Sequence, residues 1–293
     1  MSLKNGIRSC ITAPPGHVLV VVDAAQIEAR GVAKFAGQAD LLRDFELGHD
    51  VYSVFAGEVL AVTVRKARKD DPPAVAKLLT ARRALGKVGI LGMGYGMGCD
   101  RALEYMETYP ELGPKIESGE IDLMFCRRFV DHYRTRYAMV PRLWNNLENA
   151  FRATTKYGEP QELYGLRLTR DGSTTVVRLP SGRCLFYPHA SVSSENGREK
   201  IKYHWGKLWG GTLVENVVQS ASRDVLGDAI LWIEDNGPWR VVLHVHDEVV
   251  LVVPKAEAED ALALTLKALR RRPAWAPDWP LDAEGQIMER YSK

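Results

Sequence analysis

Two valine-rich runs that carry acidic residues restrict the fold of this sequence more than any other feature. The first is HVLVVVDAAQ at residues 17–26, and the second is HVHDEVVLVVP at residues 244–254. Both have the β-branched composition of buried strands, yet an unpaired buried carboxylate is strongly destabilising. We therefore expect the acidic tips at Asp23 and Asp247 to converge, although they lie far apart in the chain.

The acids in these runs have a structural and a chemical interpretation. In one continuous strand, side chains alternate between faces, which predicts that Asp247 shares a face with Val245 and Val249 while Glu248 points to the other. A hydrogen-bonded or ion-paired structural acid explains either residue alone. Two acid-bearing strands favour a shared site, because neighbouring carboxylates repel each other unless a divalent cation lies between them. Hard oxygen ligands on a sheet suit Mg²⁺.

The composition indicates a globular protein. Of the 293 residues, 46% are hydrophobic and 26% are charged, which suits one large domain or two ordinary ones. The formal net charge of +2 gives no global reason to expect a polyanionic partner. The N-terminal sequence has no targeting pattern, and no apolar run reaches the length of a membrane span. The cysteines lack metal-binding spacing, so we expect a cytosolic protein with reduced thiols, at Cys10, Cys99, Cys126 and Cys184.

The order of predicted elements indicates an α+β fold in which a helical segment interrupts a sheet. Residues 161–204 alternate in polarity and contain turn signals, which predicts short antiparallel strands. The remaining patterns predict, in order, a strand over 17–26, helices over 27–98 and 121–156, a helix over 211–235, the second valine-rich run, and a last helix over 256–271.

The segment TARRALGKVGILGMGYGMG, residues 80–98, combines a cationic stripe with many glycines. Arg83 and Lys87 share one helical face, which Leu91 and Tyr95 continue. A solvated basic face would explain the two cations, but the following turns are apolar and glycine-rich. The glycines fit neither a dinucleotide fingerprint nor a Walker A loop. A cationic stripe that leads to an aromatic side chain suits a triphosphate and a base.

Three blocks in this chain resemble the motifs of family A DNA polymerases, the DNA polymerase I type, and most closely those of bacteriophages. Asp23–Arg30 resembles the first palm motif DYSQIELR, and Arg83–Gly96 resembles the fingers helix RxxxKxxxFGxxYG. His246–Glu248 is similar to the second palm motif, HDE. The segments Leu179–Arg183 and 213–226 are also similar to phage members. The resemblance implies a palm whose sheet is interrupted by a mostly helical fingers subdomain.

The resemblance also implies a two-metal mechanism. Asp23, Asp247 and the backbone carbonyl of Ala24 would hold two Mg²⁺ ions, for which Mn²⁺ would substitute. One ion would lower the pKa of the primer 3′-hydroxyl, and the other would neutralise the triphosphate and pyrophosphate. The catalytic residues would be Asp23, Asp247 and Lys87, with Lys87 protonating the leaving group.

The same resemblance assigns substrate contacts. Glu28 would exclude a ribose 2′-hydroxyl, Tyr95 would stack near the templating position, and the fingers glycines would permit closure over a correct pair. Gln219 would contact the minor groove of the new pair, and His246 the primer end. The nucleotide-binding set is Arg83, Lys87, Glu28, Gln26, Tyr52, Leu91 and Tyr95, and the primer or template set is Gln219, His246, Glu248 and Arg223.

The sequence departs from the family pattern at several of these positions. Ala24 and Ala25 replace the Tyr and Ser of the first motif, which removes a packing contact but no metal ligand. Leu91 replaces an aromatic residue that stacks on the incoming nucleotide, so we expect altered sugar discrimination or slower incorporation. Tyr52 stands where a His often contacts phosphate, and its phenol can still donate a hydrogen bond.

The resemblance divides the chain into a first part of the palm at 1–30, fingers at 31–160, and β-hairpins with the second part of the palm at 161–293. Family members carry a thumb, and often a 3′–5′ exonuclease domain, before the first palm motif. Both are expected to be absent here, where only a short segment precedes Asp23. We therefore expect either that a second polypeptide supplies the thumb, the exonuclease domain or both, or that this chain is a fragment of a longer polymerase. The expected partners are DNA primer–template and dNTP, with no membrane, in the cytoplasm (the host cytosol if the chain is phage-encoded).

Alternative functions make different demands on the same residues. A non-catalytic polymerase-like scaffold or nucleic-acid-binding module would not require intact Asp23, Asp247, Arg83 and Lys87. A metal-dependent nuclease would use the carboxylates but not the Arg83–Lys87 stripe. A single-subunit RNA polymerase would be disfavoured by a bulky gate at Glu28, because that gate rejects ribose.

Overall fold

The computed structural model describes residues 8–195 and 197–291. The chain forms two compact units, of which the first combines Met1–Ile27 with Gln219–Lys293 and the second is Glu28–Val218. The segment of β-hairpins therefore lies in the same unit as the helices between the valine-rich runs. The division into palm and fingers that the resemblance implies stays a prediction.

The first unit is built on a four-stranded antiparallel sheet in the order β11-β1-β10-β9. The second valine-rich run pairs directly with the first, from His17 opposite Pro254 to Asp23 opposite Glu248. The strands are β1 (His17–Ala24), β9 (Val241–Val245), β10 (Glu248–Pro254) and β11 (Ala283–Met288).

Both faces of the central strand β1 are buried, which explains its unbroken apolar sequence. Helix α10 (Ala258–Arg270) contacts β1, β10 and β11. A cluster of Leu19, Val21, Val250 and Tyr291 packs within the same unit. The position of Asp23 is therefore fixed by a strand that is anchored along its length.

The second valine-rich run is a hairpin and not one strand. Strand β9 ends at Val245, β10 begins at Glu248, and these two residues pair with each other. His246 and Asp247 form the turn, and His246 has a φ of 55°. The prediction of a continuous strand is wrong, and so is the alternation that placed Asp247 on one face with Val245 and Val249. Histidine tolerates left-handed backbone better than most residues do, so the reversal needs no Gly or Asn.

The second unit begins with helices and continues with short strands. Helix α9 (Gly210–Asn236) starts in this unit and ends in the first. The preceding helices are α1 (Ile27–Ala36), α2 (Ala39–Glu46), α3 (Val51–Leu60), α4 (Pro73–Lys87), α5 (Cys99–Glu107), α6 (Gly113–Glu117), α7 (Leu123–Arg136) and α8 (Met139–Tyr157).

The glycine-rich segment after α4 remains helical. A π-helical turn at Val88–Gly92 and a 3₁₀ turn at Met93–Tyr95 continue α4. A Cβ atom at Gly86 would lie 1.8 Å from the carbonyl oxygen of Tyr52, and one at Gly89 would lie 2.1 Å from the ring of Phe55. These glycines therefore let α4 and its continuation approach α3 closely, and this packing compensates for their low helix propensity.

Two small antiparallel sheets complete the second unit, in the orders β2-β3-β4-β5 and β6-β7-β8. The predicted hairpins and the α+β class are confirmed. None of the helices in the described part of the chain is both long and apolar enough to cross a membrane. The strands are β2 (Gln161–Leu163), β3 (Leu166–Asp171), β4 (Thr174–Arg178), β5 (Cys184–Tyr187), β6 (Ser191–Glu195), β7 (Arg198–Tyr203) and β8 (Gly206–Leu208).

Candidate active site

The structure brings Asp23 and Asp247 to the same end of the central sheet. Asp23 is the penultimate residue of β1, and Asp247 is in the turn that leads into the neighbouring strand β10. The backbone amide of Ala24 donates a hydrogen bond to the carbonyl oxygen of Asp247, with an N–O distance of 3.0 Å. Both carboxylates are half-buried. Main-chain pairing therefore fixes the separation of the two acidic residues.

Two further carboxylates lie beside Asp23, because Glu248 and Glu284 are its direct partners on the two neighbouring strands. These three residues line one cavity of about 230 Å³. Glu248 is only 2% exposed, and the hydroxyl of Tyr291 donates a hydrogen bond to its Oε1. This burial favours a supporting position for Glu248 over the predicted contact with primer or template.

Glu284 is not among the site residues predicted from the sequence. Strand β11 is short, and it contains Gly285 and polar side chains instead of a valine-rich pattern. The only available signal was the alternation around Glu284 in AEGQIM. Within residues 8–195 and 197–291, no group of three or more His, Cys, Asp or Glu side chains has the arrangement of a metal site. The metal ligands implied by the resemblance, Asp23, Asp247 and the backbone carbonyl of Ala24, stay a prediction.

The predicted primer or template residues of the first unit are solvent-accessible, except for Glu248. His246 is exposed at the hairpin turn, next to Asp247. Gln219 and Arg223 are exposed one helical turn apart on α9, so they share a face. Gln26, predicted to bind nucleotide, is half-buried just after β1 and has a φ of 54°. These positions are compatible with ligand contact.

In the second unit, Arg83 and Lys87 line one cavity of about 280 Å³. The guanidinium of Arg83 donates to both carboxylate oxygens of Asp50, from Nε at 2.7 Å and from Nη2 at 3.0 Å. Burial raises the pKa of Asp50, but the hydrogen bonds from Arg83 and Ser53 outweigh it and hold this pKa below its ordinary value. Asp50 thus stays ionised and orients Arg83.

Tyr52, for which a phosphate contact is predicted, is a buried neighbour of Arg83. Its side chain is 6% exposed, and the guanidinium carbon of Arg83 lies 4.9 Å from the centre of its ring. A cation over an aromatic face is an attractive arrangement. The ring of Tyr52 therefore packs against the guanidinium of Arg83, and it forms part of the core of the second unit.

Glu28 and Tyr95 are joined directly, because the Tyr95 hydroxyl donates to Oε2 of Glu28 at 2.8 Å. Burial, followed by the charge of Glu28, raises the pKa of Tyr95 far above its ordinary value, so the phenol stays protonated as the donor. Leu91 and Tyr95 line a cavity of about 550 Å³ together with Trp209 and Glu215. Tyr95 is thus a neighbour of Glu28, the predicted sugar gate, and of Leu91.

A family model for DNA polymerase family A matches residues 1–293. The chain belongs to DNA polymerase family A. The motifs that resemble this family lie in both units, and the family match covers the whole chain.

The relatives of this family A chain include a phage enzyme. This chain is 31% identical over 304 residues to the DNA polymerase of Bacillus phage SP02. The alignment covers 99% of this chain and 44% of the relative. This chain is 26% identical to the thermostable DNA polymerase I of Thermus thermophilus, with 96% of this chain and 28% of the relative covered. The chain thus spans less than half the length of these curated relatives.

A solved structure shares the fold. The POL domain of Pol1 from M. smegmatis, determined in complex with DNA primer–template and dNTP, matches with a TM-score of 0.63 at 19% sequence identity. The match covers 99% of this chain and 43% of that chain. The predicted fold, a polymerase palm with a helical insertion, is confirmed by this similarity.

Proposed function

We propose that the chain catalyses template-directed transfer of deoxynucleotides from dNTPs to the 3′-hydroxyl of a DNA primer. The observation that carries this proposal is the convergence of Asp23 and Asp247, tied through the hydrogen bond between Ala24 and Asp247. Membership of DNA polymerase family A supports the reaction type. The cavity lined by Arg83 and Lys87 supports a polyanionic substrate.

In this proposal, Asp23, Asp247 and the backbone carbonyl of Ala24 hold two Mg²⁺ ions, with Mn²⁺ as a substitute. The donor set fits, because carboxylates and carbonyls are the ligands that hard cations prefer. The two aspartates are half-buried at the same end of the sheet and are tied by main-chain pairing, which suits carboxylates that share a divalent cation. The ions would activate the primer hydroxyl and neutralise the departing pyrophosphate.

The chain's own side chains then bind and orient the substrates. Arg83 and Lys87 grip the phosphates, and Lys87 donates a proton to the pyrophosphate oxygen. Glu28 excludes a 2′-hydroxyl, and its carboxylate is oriented for this by the hydrogen bond from Tyr95. Tyr95 also provides a stacking surface near the templating base.

Contacts to the primer–template come from exposed polar groups. His246 contacts the primer end, and Gln219 and Arg223 contact the duplex from one face of α9. Glu248, buried against Tyr291, supports the turn that presents Asp247.

Primer extension with Mg²⁺ and dNTPs tests the proposal directly. We expect Asp247→Ala to lower the rate by at least about a thousandfold, since metal ions supply several kcal/mol of transition-state stabilisation. Lys87→Ala should also slow extension, and chelation with EDTA should abolish it. Asp235→Ala, at an exposed site near the end of α9, is the matched control and should extend normally. Extension that survives Asp247→Ala would refute the metal assignment, and primer–template binding without extension would favour a scaffold.

We also propose that a second polypeptide carrying a thumb, an exonuclease domain or both contributes to the grip on duplex DNA. The support is electrostatic. Duplex binding depends largely on neutralising phosphates, whereas the 39 Lys and Arg residues barely exceed the 37 Asp and Glu residues. Primer–template binding by this chain alone should therefore be weak at physiological salt, and extension should increase when the partner is added. Long, processive synthesis by this chain alone at physiological salt would contradict the idea.

A further inference from the structure

The cavity next to Arg83 contains one more cationic residue than the resemblance assigns. Its lining includes Lys66, Arg83 and Lys87, with Glu111 as the one carboxylate. Arg83 already has Asp50 as its partner. Within the described residues, the ammonium groups of Lys66 and Lys87 have neither an ion pair nor a side-chain hydrogen bond. Two ammonium groups without an ion pair therefore line the same cavity as the oriented guanidinium, and they outnumber the single carboxylate of Glu111.

Lys66 belongs to the segment that connects α3 to α4, and an ion pair closes this segment. The guanidinium of Arg65 donates to Asp71 from Nη1 to Oδ2 at 2.7 Å and from Nη2 to Oδ1 at 2.5 Å. The backbone amide of Arg68 also donates to Oδ2 of Asp71, at 2.7 Å. These hydrogen bonds hold the pKa of the Asp71 carboxyl well below its usual range, so the pair persists at neutral pH.

The same guanidinium reaches the main chain of Lys66. Nη1 of Arg65 donates to the carbonyl oxygen of Lys66 at 3.1 Å. The backbone at Lys66 is thereby fixed beside the cavity, while its exposed side chain remains adjustable. A flexible point charge on an anchored backbone is well suited to a multiply charged anion. Lys69 lies in the same loop and is also exposed, but it does not line the cavity.

We propose that Lys66 is an additional ligand of the nucleotide triphosphate and that the Arg65–Asp71 pair is a positioning device for it. This inference rests on the proposed polymerase function, and it adds a residue from outside the fingers helix to the phosphate-binding set. Arg83 provides a directional fork, and Lys66 and Lys87 approach the anion as point charges from two different segments. Lys66 binds the substrate and takes no part in the chemical step.

Steady-state primer extension with varied dNTP concentration separates this role from a structural one. We expect Lys66→Ala to raise KM for dNTP about fivefold to tenfold with kcat changed less than about twofold, as for loss of a uniform binding contact. Lys66→Arg should restore most of the affinity, because it returns the charge. The matched control Lys69→Ala should leave KM unchanged. An unchanged KM in Lys66→Ala, or an equal rise in both alanine variants, would overturn the proposal.

The positioning role is tested by a double-mutant cycle. Asp71→Asn should raise KM for dNTP in the wild-type background, but it should add nothing once Lys66 has been replaced by Ala, because both changes remove the same contact. Independent, multiplicative effects would show that the Arg65–Asp71 pair does not act through Lys66.

Direct binding separates failure of this inference from failure of the polymerase proposal. Calorimetric titration of the protein with inorganic tripolyphosphate, without DNA, should show binding that Lys66→Ala weakens by the same factor as KM and that Lys69→Ala preserves. If wild-type protein does not extend a primer, the polymerase proposal fails, and this titration still decides whether Lys66 binds the anion. Equal tripolyphosphate affinity in wild type and Lys66→Ala would refute the assignment of Lys66.

Discussion

The hydroxyl of Tyr291 donates a hydrogen bond to Oε1 of Glu248, and both side chains are buried. Glu248 follows Asp247 directly, so this pair anchors the first residue of β10 beneath the candidate metal ligand. A carboxylate that loses a hydrogen-bond donor in the interior destabilises the fold.

Tyr291→Phe should therefore lower the free energy of unfolding by about 1 to 3 kcal/mol. The measurement is urea-induced unfolding followed by circular dichroism. Tyr157→Phe is the matched control. Tyr157 is 67% exposed, so water can take over the hydrogen bonds that its hydroxyl makes. Equal stability of wild type and Tyr291→Phe would show that Glu248 does not depend on this bond.

Glu215→Gln should stabilise the protein at neutral pH. Burial, and next the charge of Glu28, raises the pKa of Glu215. A carboxyl whose pKa is raised by folding destabilises the native state once the pH exceeds that pKa, and the penalty disappears as the pH falls below the unfolded value. Because Glu215 is half-buried, we expect a gain below about 1 kcal/mol after solvent screening.

Thermal unfolding between pH 4 and pH 8 checks this sign. The difference between Glu215→Gln and wild type should grow as the pH rises, whereas the exposed control Glu104→Gln should show no such trend. The prediction would be contradicted if the stability of Glu215→Gln relative to wild type were lower at pH 8 than at pH 4.

Leu91→Phe should restore the aromatic side chain of the family motif. Leu91 is half-buried and lines the cavity of about 550 Å³, so a larger ring can be accommodated. Stacking of a base on an aromatic ring contributes about 1 to 3 kcal/mol, so we expect KM for dNTP to fall at least about threefold and sugar discrimination to change. Incorporation of dNTP, ddNTP and rNTP provides the measurement, with Leu78→Phe at an exposed position of α4 as control. Unchanged kinetics would refute the prediction.

Ala61→Gly should increase stability. Ala61 ends α3 in the left-handed conformation, with φ 52° and ψ 39°, which is unfavourable for a residue with a Cβ atom. After allowing for the greater entropy of glycine in the unfolded chain, we expect a gain of up to about 1 kcal/mol. Ala263→Gly, at an exposed site within α10, should instead lose roughly 1 kcal/mol. Chemical denaturation of both variants measures the contrast, and a loss of stability in Ala61→Gly would count against the argument.

The sequence predicted the sheet partners but not their connection. Continuous β-branched sequence identified β1 and the β9–β10 region, and the motif match allowed Asp23 and Asp247 to be named as candidate metal ligands. The turn at His246 was missed because HVHDEV contains no Gly, Asn or Pro signal, and the left-handed conformation of a histidine leaves no trace in the apolar pattern. Glu284 was missed because β11, AEGQIM, contains a glycine and lacks the valine-rich run that identified the other strands of this sheet.

In the second unit, the contacts between helices could not be predicted from the local sequence. The sequence predicts helix through the glycines that follow Lys87, although the intrinsic helix propensity of glycine is low, and the chain does stay helical to Tyr95. Contacts of Gly86 with Tyr52 and of Gly89 with Phe55 explain this, and they involve a helix that is distant in sequence. Tertiary packing of this kind is not encoded in a local window, and the burial of Tyr52 beneath Arg83 follows from the same packing.

The hydrogen bond from Ala24 to Asp247 joins backbone atoms only. Exchanging either aspartate for a neutral side chain thus leaves the link between the two chain segments untouched, so chemistry and architecture can be altered separately at this point. An inactive variant at either aspartate should therefore keep the native fold, and it would be suitable for isolating complexes with bound substrates.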